Sequence, residues 1–499
     1  MENLGQYQSL DENIREKATN QPEKVHIITK LLRATVALPI MRWLIVGYLE
    51  RMIYKTLVEK TPNRLKEVQL MKFYFLRAML HCALRNFKKG YISKEVGQKI
   101  INTLVRAQWT EGRYENKAPE EFKQKYGFAP PCFIVISPTQ KCNLKCLGCY
   151  ASSKAEAPTL PFHIVERVIQ EAHDIFGDRF IVISGGEPFI YNSEGKTLFD
   201  IWKKFDDIFF LVYTNGTLIS KEVASKLAEL GNVTPAISME GFEKETDERR
   251  GKGVFKKILE AANNLKAVGV PFGVSLTATR ENINTLLDDK FYDFIFKKLG
   301  ATYVWLFQLM PIGRARAVKE LMLTPEQRVA LFRKWVYLLK KKKYCIADFW
   351  NSGVLSDGCI AYGRAYFYID WNGNIMPCVF IPYYEDNILD LYKKGKTLKD
   401  ALFSPLFKRG RKWQDEYGFA HQTNPKNWLM PCSIRDHYKN FKKNILTRKA
   451  KPEDKDAAIA IKSKEFEKFL DNFDKKLEKL TEPIWKKIFL AKGLTPCSK

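Results

Sequence analysis

Acidic residues are in short supply. The 499-residue chain has 56 Asp and Glu against 82 Lys and Arg, a formal net charge of +26. Such a balance draws anionic partners: a nucleic acid, a phospholipid surface or an acidic substrate. Cysteine is sparse, with ten in the chain, too few for a disulfide framework and in keeping with a reducing, cytoplasmic setting. Six histidines never pair at helical ligand spacing, which leaves no histidine-built zinc site. Long hydrophobic runs are missing. In the apolar N-terminal section the longest uncharged stretch, Ala34 to Met41, falls far short of the roughly 20 residues needed to span a bilayer. The opening "MENLGQYQSLDENIREK" is polar and acidic, unlike a secretory signal. "GKGVF" lacks the preceding glycine and the Lys-Ser/Thr ending of a phosphate loop. There is no internal repeat and no long low-complexity linker.

What is present divides into four sections. Hydrophobic residues make up 45% of the total, enough for a substantial core. Residues 1–127 read as a basic, apolar-rich helical section. Within residues 31–90, twelve Lys or Arg face three Glu. That excess, on an aromatic-rich segment (25–60), favours an anionic membrane surface over a plain core hairpin. Residues 128–340 alternate short apolar runs with amphipathic helices. The candidate strands are 132–137, 180–184, 209–214, 233–238, 272–277 and 302–307. Six strands alternating with helices predict an α/β fold with a parallel sheet or partial barrel, and chemistry at the carboxyl ends of the strands. Residues 341–440 have few helical patterns, several cysteines and a hairpin signal at Asn372-Gly373. Residues 441–499 read as a Lys-rich helical tail whose aromatics sit at helical spacing, so nucleic acid is the lesser candidate as partner.

Directly after the first candidate strand stands "QKCNLKCLGCYAS", with Cys142, Cys146 and Cys149. A structural zinc site would want a second close pair, and none exists. Three thiolates leave one iron of a [4Fe–4S] cluster open to a further ligand.

This Cys-x3-Cys-x2-Cys loop resembles that of the radical S-adenosylmethionine (SAM) superfamily, and further motifs resembling the family's follow in order. They are "SGGEP" (184–188), "TNGTL" (214–218), "ISMEG" (237–241), "ERRGKGVF" (248–255) and "FQLMPIGRA" (307–315). The resemblance covers about residues 130–320. It implies a partial (β/α)6 barrel whose [4Fe–4S] cluster binds SAM and cleaves it reductively to a 5′-deoxyadenosyl radical, which takes hydrogen from an unactivated C–H bond. It also implies cofactor contacts at Gly185, Gly186, Glu187 (carboxylate toward the methionine ammonium), Asn215, Ser238, Glu240, one of Arg249 or Arg250, and Ile312 in the segment bracketing adenine. One departure is Gly148, where the family often has an aromatic residue; Tyr150 is expected to shield the cluster instead.

"GCIAYGRAYFYIDWNGNIMPC" (358–378) resembles the opening of the Twitch or SPASM auxiliary-cluster extensions. The resemblance implies a second iron–sulfur cluster on Cys359, Cys378 and Cys432. The position where a fourth cysteine is often found is Arg435, so the fourth ligand stays open among Cys345, Asp436, His437 and the substrate. Cys82, Cys132 and Cys497 are expected to be inert. The reading is thus a radical SAM enzyme supplied with electrons by a ferredoxin or flavodoxin, cytoplasmic or peripheral at the inner membrane face. A lipid or isoprenoid substrate is favoured. A peptide or small-molecule maturase or dehydrogenase comes second, and an RNA-modifying enzyme third.

Overall fold

The computed structural model describes residues 30–31, 34, 42–104, 116–419 and 425–495. His26, His421, Cys497 and parts of the 25–60 segment lie outside the described residues. Among the helices that precede the sheet are α1 (Arg42–Tyr54) and α2 (Lys66–Lys88). The six expected strands all form: β1 (Ile134–Ile136), β2 (Phe180–Ile183), β3 (Phe209–Thr214), β4 (Val233–Met239), β5 (Gly273–Ala278) and β6 (Tyr303–Gln308). They pair in parallel and in sequence order. Their near-continuous apolar runs suit strands covered on both faces. Ile134, Ile181, Ile183, Val212, Ile237 and Val274 are fully buried.

The sheet extends past the barrel at both ends. On one side β7 (Ile346–Asp348) adds in parallel to β6. On the other, β8 (Tyr368–Ile369) pairs in parallel with β1, and β9 (Asn374–Met376) and β10 (Asp386–Asn387) continue antiparallel. The β8–β9 turn is the Asn372-Gly373 turn read from the sequence; Asp370 accepts hydrogen bonds from the Asn372 and Asn374 amides at 2.8 Å each. Residues 341–440 also carry a twelve-residue helix, Pro405–Glu416, where few helices were expected. Ser404 caps it and Pro405 opens it, a local start signal that hydrophobic patterning passes over.

Helix α2 is clamped to the barrel. Asn86 donates to the Gly300 carbonyl at 2.7 Å and to Thr302 at 2.9 Å. Lys72 pairs with Asp357, and buried Glu67 holds both Lys340 and Lys492 at 2.8 Å. The last long helix, α3 (Lys464–Ile484), turns Phe466, Leu470, Phe473 and Leu477 inward at a helical period. Among the described residues no helix is long and apolar enough to cross a membrane.

Candidate active site

The cysteine loop leaves β1 at its carboxyl end and folds under the turns that follow β2 and β3. Gly186 makes this possible. A Cβ there would lie 2.0 Å from the Lys141 carbonyl oxygen, so the loop backbone and the Gly-Gly turn meet at a distance only glycine allows. The Gly186 and Glu187 amides donate to the Thr139 and Lys141 carbonyls at 2.9 and 2.8 Å. Gly148 takes φ +63°, which explains glycine where the family often has an aromatic side chain. Tyr150 binds the loop to the same turn: its hydroxyl lies 2.8 Å from Ser184 Oγ and accepts from the Gly185 amide at 3.2 Å. Burial pushes its phenol up to about 12, so it stays a neutral donor.

Two buried carboxylates organise the rim. Glu187 accepts from the Thr214 hydroxyl (2.7 Å), the Asn215 amide (2.8 Å) and the Phe189 amide (3.2 Å). The carboxylate expected to meet an ammonium is therefore engaged inside the wall, tying β2's turn to β3's, and it does not line the cavity. Burial raises its carboxyl to about 7. Glu240, 1% exposed, receives Arg249 at 2.5 Å and Arg250 at 2.5 and 2.9 Å. Both arginines then face the cavity. Arg249 also donates to the Leu147 carbonyl at 3.1 Å. The Asn215 side-chain amide reaches Asn143 Oδ1 at 2.8 Å and Cys142 Sγ at 3.8 Å.

Gly185, Gly186, Asn215, Ser238, Tyr150, Arg249 and Arg250 all line one cavity of about 520 Å³ with the three loop cysteines. The Ile312 side chain does not; it faces a small neighbouring void with Tyr383 and Leu470. Leu309, Met310 and Arg314 represent that segment on the wall instead. Sequence reasoning missed Arg314, which braces the loop by donating to the Cys146 and Ser153 carbonyls at 3.2 and 2.7 Å. No spacing signal marks a side chain that acts on backbone oxygens more than 160 residues away.

The second cysteine set opens on the same cavity: Cys359, Cys378 and Cys432 all line it. Phe133, just before β1, stacks on Tyr366 at 5.2 Å, and the Tyr366 hydroxyl lies 2.7 Å from Cys378 Sγ. This set therefore sits toward the amino ends of the strands, opposite the first. Phe180 at the start of β2 and Ser184 beyond its end both face the cavity, which spans roughly 13 Å along that strand. The three protein candidates for a fourth ligand are each engaged with other partners. Cys345 is buried, its amide 3.3 Å from Cys82 Sγ. The His437 imidazole meets the Met430 carbonyl at 2.9 Å. Asp436 is held by Arg328 at 2.5 Å and Arg435 at 3.3 Å, and takes the Cys432 amide at 3.1 Å. Burial alone would raise the Asp436 carboxyl, but the two arginines hold it below its ordinary value. Arg435 itself packs over Trp350 at 4.3 Å. Tyr366, unnoticed in the sequence, is the oxygen donor the fold brings to this set.

The donor sets fit iron–sulfur clusters. Among the described residues no three His, Cys, Asp or Glu side chains converge on a single ion; in a cluster each thiolate binds its own iron, so the sulfurs stand farther apart. Burial pushes the Cys142 and Cys432 thiols up to about 11, an environment in which metal binding supplies the drive to ionise them.

Comparison with known proteins agrees. Residues 136–289 match the family model described as the radical SAM superfamily. An AdoMet-dependent heme synthase of Methanosarcina barkeri is 26% identical over 62% of this protein and 89% of the relative. Mycofactocin maturase MftC of Mycobacterium ulcerans is 29% identical over 66% of this protein and 86% of the relative. Among solved structures, Streptococcus suis SuiB aligns at TM-score 0.46 and 16% identity over 64% of this protein and 84% of that one. Matched family model, related enzymes and cysteine loop taken together, residues 136–289 carry a radical SAM domain and the protein is a radical SAM enzyme.

Proposed function

We propose that the enzyme abstracts hydrogen from an unactivated C–H bond in the hydrocarbon part of a membrane lipid or isoprenoid. The supporting observation is the wall between the two cysteine sets. It is built mainly of Val135, Val182, Leu211, Trp305, Phe307 and Phe349, with the neutral polar groups of Tyr213, Ser275, Thr277 and Gln308 among them, and among the described residues no Asp, Glu, Lys or His lines the cavity. Its charged groups are Arg249, Arg250 and Arg314, all tied to the cysteine loop or to Glu240. A peptide bound mid-barrel would find few partners for its amides beyond Tyr213, Ser275, Thr277 and Gln308, and a carboxylate would compete with Glu240 for Arg249 and Arg250; groups left unpaired are costly to bury. A hydrocarbon tail needs no such partner.

When bound, the cluster on Cys142, Cys146 and Cys149 supplies the electron that cleaves SAM. The protein's own residues do the rest. Arg249 and Arg250, fixed by Glu240, offer cationic donors to the carboxylate and ribose of SAM. Gly185 and Gly186 present cavity-lining backbone beside the cysteine loop, and the apolar wall excludes water from the reacting carbon. Tyr366 and the three auxiliary cysteines hold the second cluster at the far end. A ferredoxin or flavodoxin supplies electrons, and the protein works in the cytoplasm at the inner membrane face.

A peptide or small-molecule maturase is the second reading, favoured by the relatives' own names. Parallel assays separate the two. Reduced, reconstituted enzyme should release 5′-deoxyadenosine from SAM faster with a host lipid extract than with a soluble peptide and metabolite extract. Stimulation by the soluble extract alone would move the assignment to the maturase class.

A further inference from the structure

We infer that α1 and the C-terminal turn together form a docking surface for an anionic phospholipid bilayer. The inference rests on the lipid reading above for its purpose, though not for its evidence. On α1, Ile45, Val46 and Leu49 are buried, while Leu44, Tyr48 and Arg51, and Lys55 just beyond the helix, are exposed at i, i+4, i+7 and i+11. The outward stripe is thus apolar at its start and basic at its end. Residues 60–66 follow and join the C-terminal turn: the Lys66 amide donates to the Gly493 carbonyl at 3.1 Å, and Leu65 bridges Leu494.

Leu44, Tyr48, Ile488 and Leu494 are four of the eight large apolar side chains exposed among the described residues. Two short segments at opposite ends of the sequence thus hold half of them, and both segments pack against α2. Core packing buries such side chains; a surface that meets hydrocarbon displays them.

Charge decides the occupant. Arg51, Lys55, Lys60, Lys66 and Lys487 are exposed on this edge with no ion-pair partner among the described residues. Lys486 and Lys492 add charge but are paired, with Glu482 and Glu67. Glu59 is the exposed acid among them. Cations set around protruding apolar side chains complement anionic headgroups over an acyl layer.

The edge also leads to the cavity. Helix α2 begins at Lys66 in the edge and carries Phe75 into the cavity wall, nine residues on, or about 14 Å along the helix. The edge and the cavity are thus joined by a single helix.

The test is co-sedimentation of the full reconstituted protein with vesicles of phosphatidylglycerol and phosphatidylcholine, and with phosphatidylcholine alone. Binding should need the anionic lipid and weaken with salt. The doubly substituted Lys55→Gln/Lys487→Gln protein should lose about fivefold in partition for each cation removed. Leu44→Ser/Tyr48→Ser should weaken binding at every salt concentration. Unchanged iron content and melting in the variants establish that the fold is intact. Variants that bind like the parent, or a parent that ignores anionic vesicles, would overturn the surface. A parent that docks, loses docking in the variants, and yet shows no lipid-stimulated SAM cleavage upholds the surface and overturns the lipid-substrate reading instead.

Discussion

Alanine at Cys142, Cys146 and Cys149 together should take 5′-deoxyadenosine formation down to background, a loss of more than about a thousandfold, because the cofactor carries the difficult step. The three thiols share one loop, and nothing else on that side of the cavity replaces them. About half of the reconstituted iron should disappear with them, the other half remaining on the auxiliary cysteines. Cys132→Ser, at an exposed position ahead of β1, should keep both iron and activity. Iron analysis and product chromatography on the same samples check this. A triple variant that still cleaves SAM would refute the assignment of the loop.

Asp436→Ala should be the most damaging single change outside the cysteines. Arg328 and Arg435 are each 1% exposed, and Asp436 neutralises both. Removing it leaves two buried guanidinium groups uncompensated and the Cys432 amide without its acceptor. Breaking a buried pair in this way costs about 3–5 kcal/mol. Denaturant unfolding should show that loss, and auxiliary iron should fall because the segment carrying Cys432 is no longer fixed. Adding Arg328→Met should restore part of the stability, since one stranded charge is gone and the site regains apolar packing. A single variant that unfolds like the parent would show the network to be dispensable.

Much of this architecture is legible in the sequence. The six strands are short, apolar and flanked by helical periods, and each motif follows one of them, so local patterning sufficed. The Asn372-Gly373 hairpin carried its own turn chemistry. Non-local pairing was hidden: β8 joins β1 across more than 200 residues, and no local pattern encodes a partner so distant. Side-chain direction was hidden too. Glu187 stands in the right motif, yet its carboxylate turns into the wall because Thr214 and Asn215 supply donors there. Cys345 looked available as a ligand because its burial against Cys82 depends on how α2 packs on the barrel.

The lipid reading draws on the apolar wall, the maturase reading on the relatives' names, and the two predict different origins for one hydrogen atom. The most direct measurement is therefore mass spectrometry of 5′-deoxyadenosine formed by the reduced, reconstituted enzyme in the presence of membrane lipid deuterated throughout its acyl tails. Abstraction from a C–D bond of the lipid delivers deuterium to C5′ of the deoxyadenosyl group, so the product should gain one mass unit while the lipid loses one deuterium. Unlabelled 5′-deoxyadenosine at an undiminished rate, with the label appearing instead when a deuterated peptide fraction is supplied, would contradict the account.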